Sequence, residues 1–420
     1  MNRTVKIAVV VLSLGVFSYA ALGYVLGRTA DDQKSYHSLT VYGEVLQRIQ
    51  EDYVEEPNMP KVTAGALHGL LEALDPMSSY MSPNEFAQYK NQLAEHYTAG
   101  IGATISKRFG YVMIVSTLPD SPAEKAGLKT GDILEAIGGF ATREMSVGQA
   151  MNLFAGQPGS VIKVSKIARG RTDTEEVDIV RTAAAPPHVT FTKISGDIGY
   201  LRIASLEKGK AAEIRAKLGE LESQGIHKVV LDLRGCAAGD NDEGIAVARL
   251  FLSSGNIATL KGQTVSKQDF AADPGKVVWK GPVSVLTSNA TSGAAELVAA
   301  GIAGNHRGDV VGERTFGSAS EQKLIQLEDG SAVFLTVAYF YTPDGKSIPE
   351  DGVAPTTTVA STTDDADVFS HSENPPLIPG APNDDPVLSK ALDLLNGGHK
   401  IAQHKAPANR RLRTPWPVEA

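Results

Sequence analysis

Residues 287–296 read Thr-Ser-Asn-Ala-Thr-Ser-Gly-Ala-Ala-Glu and follow a short apolar run, Val283-Ser284-Val285-Leu286. A strand that ends in a tight turn and enters a helix is a common mount for a nucleophile. Three hydroxyls stand in this turn: Ser288, Thr291 and Ser292. A hydroxyl is a weak nucleophile until a base takes its proton, so the chain must also supply a base. His306 in a following loop and Lys323 further on are the nearby candidates, and Cys236 is a candidate replacement nucleophile. Each has an ordinary structural reading beside the chemical one. Ser and Thr are favoured helix caps. His306 reads as an exposed loop histidine, and Cys236 as a buried, inert thiol. Asp240, Asp242 and Glu243 read as a solvated helix N-terminus, where carboxylates sit well against the helix dipole.

The elements that must position these groups change character along the chain. Residues 38–97 carry helical spacing, first at Leu39, Val41, Val45, Leu46 and Ile49, then at Ala64, Leu67, Leu70, Leu71 and Leu74. From about residue 98 short β-like runs take over: 101–105, 111–115, 162–167 and 177–180. Ala184-Ala185-Pro186-Pro187 marks a boundary. Residues 188–360 then alternate strands with helices, an α/β layer arrangement. Lys228–Leu233 is a nearly unbroken apolar run, as a strand buried on both faces requires. Residues 361–386 are rich in Asp, Ser, Thr and Pro and read as loosely ordered. Pro386–Asn396 follows as one short helix with Leu388, Leu392 and Leu395 on one face.

Composition narrows the function class. Forty basic and 48 acidic residues give a net charge of −8, which argues against nucleic acid as a partner. One cysteine allows no internal disulfide. No His-x-x-x-His or Cys-x-x-Cys spacing and no Gly-x-x-x-x-Gly-Lys loop is present, so neither a metal nor a nucleotide cofactor is expected. Residues 7–27 are uncharged, follow a basic start and end at Arg28. As a helix they would span roughly 30 Å, about one bilayer core. The expectation is a single-pass anchor that leaves the main body outside the cytoplasm, in the periplasm of a two-membrane cell. Cleavage as a signal peptide is the alternative.

Residues 98–183 resemble a PDZ domain. Gly100-Ile101-Gly102-Ala103 and Ala123-Glu124-Lys125-Ala126-Gly127-Leu128-Lys129-Thr130-Gly131-Asp132 carry the resemblance. A Gly-x-Gly turn exposes successive backbone N–H groups that can hold a terminal carboxylate, and the strand after it offers an edge for a peptide. Ile101 and Ile105 are the expected pocket for the last side chain.

Around this module, Leu74-Asp75-Pro76-Met77-Ser78-Ser79-Tyr80 comes before, and Leu231-Asp232-Leu233-Arg234, Val311-Gly312-Glu313-Arg314-Thr315-Phe316-Gly317 and Tyr341-Thr342-Pro343-Asp344-Gly345-Lys346 come after. In that order, over roughly residues 38–360, they resemble the carboxyl-terminal processing, or tail-specific, serine peptidases. The resemblance implies an α+β multidomain chain. Its parts are a membrane segment and linker (1–33), a helical domain (34–97), the PDZ domain (98–183), an α/β peptidase core (184–360) and a flexible tail (361–420).

It also implies a serine–lysine dyad, with the serine three residues before a glutamate and the lysine directly after Thr-Phe-Gly. With Glu296 as that glutamate, the serine position is Gly293, and the lysine position after Gly317 is Ser318. Gln322 keeps the supporting glutamine, and Gly239 is the one match to the glycines expected at the oxyanion segment. The resemblance therefore implies a carboxyl-terminus-binding relative whose dyad has been lost. Two alternatives stay open: an active endopeptidase that uses Ser292, and a structural subunit in a homo- or hetero-oligomer.

Overall fold

The computed structural model describes residues 37–94, 99–108, 110–183, 186–360 and 385–397. Residues 7–27 lie outside them, and among the described residues no helix is long and apolar enough to cross a membrane. The chain divides into two compact units, residues 1–67 and 68–420. In the first, residues 37–52 are helical, and Leu39, Val41 and Val45 on that stretch are exposed. Helix α1 spans Met59–Glu72. A turn over Asp75 follows, whose carboxylate accepts the Met77 and Ser78 N–H groups. Helix α2 (Pro83–Ala94) then starts with proline in its first turn and a Glu85 that accepts the Ser82 N–H, a reciprocal cap.

The domain at 98–183 is built on an antiparallel sheet of strands β1 (Ala103–Arg108), β2 (Tyr111–Thr117), β3 (Ile133–Ile137), β4 (Val161–Ile167) and β5 (Thr174–Val180), in that spatial order. Helix α3 (Val147–Phe154), capped by a Ser146–Gln149 box, packs across it. The core joins Ile105, Leu134, Ile137, Ile162 and Val164 from the sheet to Val147, Ala150 and Phe154 from the helix. Among the described residues, strand β1 pairs only with β2 in this sheet, so its outer edge carries no strand.

The larger core is a mostly parallel sheet. Strand β6 (Thr190–Ser195) pairs antiparallel with β7 (Ile198–Arg202). Then β8 (Lys228–Asp232), β9 (Val283–Thr287), β10 (Asp309–Gly312) and the short strand Thr357–Thr358 follow in parallel register. Period-two alternation decides what each face meets. Leu201, Val229, Leu231, Val283, Val285 and Val310 face a large core that includes helices α4 (Lys210–Ser223), α5 (Asn241–Arg249) and α6 (Ala294–Gly304). Tyr200, Val230, Leu286 and Val311 point the other way and are covered by helix α7 (Pro386–Asn396) through Val387, Leu388, Ala391, Leu392 and Leu395. Burying each of those side chains stabilises the fold by roughly 1.5–3 kcal/mol for the larger ones. Residues 386–396 thus complete the sheet's second face.

A second sheet is antiparallel. It pairs the long strand β12 (Ala332–Tyr341) with β11 (Ser320–Gln326) on one side and with Ser79–Met81 and Asn256–Lys261 on the other.

Candidate functional site

The turn from β9 into α6 is fixed from within and from its neighbour. The Ser288 N–H donates to Thr291 Oγ1, and the Thr291 hydroxyl donates to the Leu233 carbonyl at the end of β8. Ser288 Oγ accepts the Ala290 N–H. Helix capping by Thr291 and Ser292 is therefore a sequence expectation the structure corrects. Thr291 ties two sheet strands together, and Ser292 Oγ lies 2.5 Å from Ser318 Oγ, a hydroxyl pair between the two chain segments. The Ser292 N–H donates to the Cys236 carbonyl.

Gly293 holds φ 60° and ψ −121°, a backbone region that glycine adopts without strain. A Cβ placed on Gly293 would lie 3.9 Å from Ser318 Oγ, ordinary van der Waals contact, so a small side chain there would face Ser318. Glu296, one turn into α6, holds that geometry. Its carboxylate accepts N–H groups of Gly293, Gly317, Ser318 and Ala319 and the hydroxyl of Thr315, at 2.5–3.1 Å. Burial pushes its pKa up from the usual carboxylate range, and the hydrogen bonds from Thr315, Ser318, Gly317 and Gly293 pull against that.

The candidate bases do not gather here. His306 is exposed in the turn at the far end of α6, roughly 16 Å of helix from Gly293. Lys323 is exposed on β11, while the Gln322 amide donates to the Met77 carbonyl. Cys236 is buried, and burial pushes its thiol up to about 12. Gly239 sits in a two-residue ladder against Leu206, where a Cβ would come within 2.5 Å of the Leu206 backbone. Its residue type is thus explained by that close approach. Glu243 is not simply solvated as expected: it accepts the N–H groups of Gly209 and Ala211 and so caps α4.

A charge network is centred on the buried Asp232. Asp232 bonds Arg202, Arg234 and the Tyr200 hydroxyl. Arg234 reaches on to Asp385, which caps α7. Burial pushes the Asp232 carboxyl up, but Arg234 and Arg202 outweigh it and hold the group well below its ordinary value.

On the 98–183 domain, Gly100 pairs with Thr182, and the Gly102 carbonyl accepts the Leu118 N–H. Gly102 has φ 69°, and a Cβ there would meet Ser121 Cβ at 2.5 Å. Ala103 begins the edge strand β1. Ile101 and Ile105 are only 2% and 5% exposed. They belong to the domain core rather than to an open pocket, because helix α3 has closed over that face of β1. Two contacts join this domain to the peptidase-like core and left no trace in the sequence. The Ser116 hydroxyl donates to the Gly235 carbonyl at 2.5 Å, and the Arg108 guanidinium lies 4.7 Å over the Phe316 ring. Between the two domains is a cavity of about 880 Å³ whose wall includes Lys107, Arg108, Phe316, Gly317 and Ser318.

Residues 197–359 match peptidase family S41, and residues 113–165 match the PDZ domain. The chain is 28% identical to a carboxy-terminal-processing protease of Bartonella bacilliformis, over 88% of this chain and 91% of that protein. It is 29% identical to the carboxy-terminal processing protease CtpA of Bacillus subtilis, over 84% and 77%. Among solved structures it is similar to the photosystem II D1 C-terminal processing protease, with a TM-score of 0.64 and 26% identity over 76% of this chain and 92% of that one.

Proposed function

We propose that this chain, which belongs to the carboxyl-terminal processing peptidase family and joins a family S41 core to a PDZ domain, captures protein C-termini without cutting them. The observation that carries this reading is that Gly293 and Ser318 face each other, with a Cβ on Gly293 3.9 Å from Ser318 Oγ. Those are the positions where the family resemblance puts the serine nucleophile and its lysine base. A glycine offers no oxygen to attack a carbonyl, and a serine offers no basic nitrogen to accept a proton. Loss of nucleophile and base together costs on the order of 10⁶ in kcat in serine peptidases.

Capture rests on backbone geometry that survives. A peptide adds to the outer edge of β1, and its terminal carboxylate is held by the N–H groups of the Gly100–Ala103 turn. Residues 7–27 anchor the chain in the cytoplasmic membrane and leave these domains on the extracytoplasmic side.

One observation favours a second reading, an endopeptidase that uses Ser292. Its hydroxyl lies in the same turn and is hydrogen-bonded to Ser318. Its partner, however, is another hydroxyl, which is no base at neutral pH. The two readings separate in one assay. The full chain and its Ser292→Ala variant are incubated with unfolded protein and apolar-tailed peptides, and products are read by mass spectrometry. Intact peptides with measurable binding support capture. Cleavage by the parent that vanishes in the variant would establish the peptidase.

A further inference from the structure

We infer that the cavity between the PDZ domain and the peptidase core is a subsite for acidic side chains of the captured peptide, a few residues upstream of its C-terminus. This rests on the capture function proposed above and adds the class of peptide it selects. The chain as a whole carries −8, yet five cationic side chains line this cavity: Lys107, Arg108, Arg169, Arg171 and Arg314.

Three carboxylates share the wall, and their engagement differs. Asp75 is occupied by the Met77 and Ser78 N–H groups and by the hydroxyls of Ser78 and Thr336. Glu313 accepts the Asn289 N–H, and Asp351 is exposed at the rim. Among the cations, Lys107 is paired with Glu72. Arg314 donates to the Asp351 carbonyl, a neutral acceptor that leaves its charge in place. Arg108 and Arg171 are exposed, and Arg108 lies over the neutral Phe316 ring.

Strand direction puts these charges in register with a bound peptide. If the peptide's carboxylate sits at the Gly100–Ala103 turn, the start of β1, its upstream residues must run antiparallel along β1 toward Arg108. Strand rise then brings a side chain roughly 17 Å, or about five residues, upstream of the C-terminus beside Arg108. Apolar walls from Met113, Ile133 and Phe316 lower the local polarity and strengthen a charge pair formed there. A long polyanion would still be repelled by the negative chain, so the site suits a short acidic stretch next to an apolar tail.

The test uses the full chain and two fluorescent peptides that share one apolar C-terminal tail. One carries glutamates about five residues upstream, and the other carries glutamines there. The glutamate peptide should bind about five- to tenfold tighter at low salt, and added salt should erase the difference. The preference should shrink in Arg171→Gln, which changes an exposed side chain, and disappear in the Arg108→Gln, Arg171→Gln double variant. Equal affinity for the two peptides in the parent, or a preference that persists in the double variant, overturns the acidic subsite and leaves capture standing. Failure of both peptides to bind the parent overturns capture, and the subsite with it.

Discussion

Gly293 directs its absent side chain at Ser318: a Cβ there would lie 3.9 Å from Ser318 Oγ, in a turn that Glu296 ties to both segments. A strand-to-helix turn is a common mount for a nucleophile, and here its positive φ is borne freely by glycine. On the proposed reading, the scaffold and the chemistry differ at two side chains. The Gly293→Ser, Ser318→Lys double variant should therefore gain measurable cleavage of apolar-tailed peptides, while either single variant stays inactive. The new serine would adopt positive φ at a cost of about 1–3 kcal/mol, visible as a lowered Tm. Mass spectrometry of the peptide products checks the gain.

Glu296 should matter more to stability than any hydroxyl around it. Glu296→Gln puts an amide NH₂ where backbone N–H groups of Gly293, Ser318 and Ala319 now converge on one oxygen. Each donor left facing another donor costs about 1–3 kcal/mol. A urea titration should show the midpoint falling by the equivalent of roughly 3 kcal/mol, with the slope unchanged.

Asp232 gives the fold an acid limit. Its carboxyl titrates below its ordinary 3.8, so the stabilisation it brings is present above that pH and is lost as pH falls toward the folded-state value. Asp232→Asn should flatten that acid limb. It should also cost about 3–5 kcal/mol at neutral pH, because the buried Arg202 and Arg234 lose the Asp232 carboxylate and Arg234 keeps only Asp385 as a counter-charge. Thermal melts across the acid range measure both effects.

Cys236 should be inert. Burial pushes its thiol up to about 12, so almost no thiolate forms near neutral pH. A chromogenic disulfide reagent should react with native protein only at the rate of unfolding, and at once in denaturant. Fast labelling of the native state would show that the thiol is open.

Much of this was legible in the chain because the signals are local. The apolar run at β8 read as a doubly buried strand and the run at β9 as a strand ending in a turn, and both are buried in the sheet. The Gly-x-Gly and Ala-Gly-Leu turns placed the PDZ domain, and the leucine spacing of residues 386–396 gave α7. What escaped depends on partners far away in sequence. Nothing near Thr291 shows that its hydroxyl goes to Leu233, and nothing near Glu243 shows that it caps α4. Ile101 and Ile105 looked like pocket residues because strand alternation gives a face, not what covers it; here α3 does. The Arg234–Asp385 pair spans the chain from the Asp-Leu-Arg motif to a helix beyond residues 361–384 and has no local signature.

The proposed loss of the nucleophile can be tested most directly by intact-protein mass spectrometry after exposure of the full chain to a fluorophosphonate, which marks activated serines. With Gly293 and Ser318 where a serine and a lysine would be needed, the mass should not change, while the Gly293→Ser, Ser318→Lys variant should gain one adduct. A stoichiometric adduct on the unaltered chain, mapped to Ser292, would show that the turn still holds a working nucleophile.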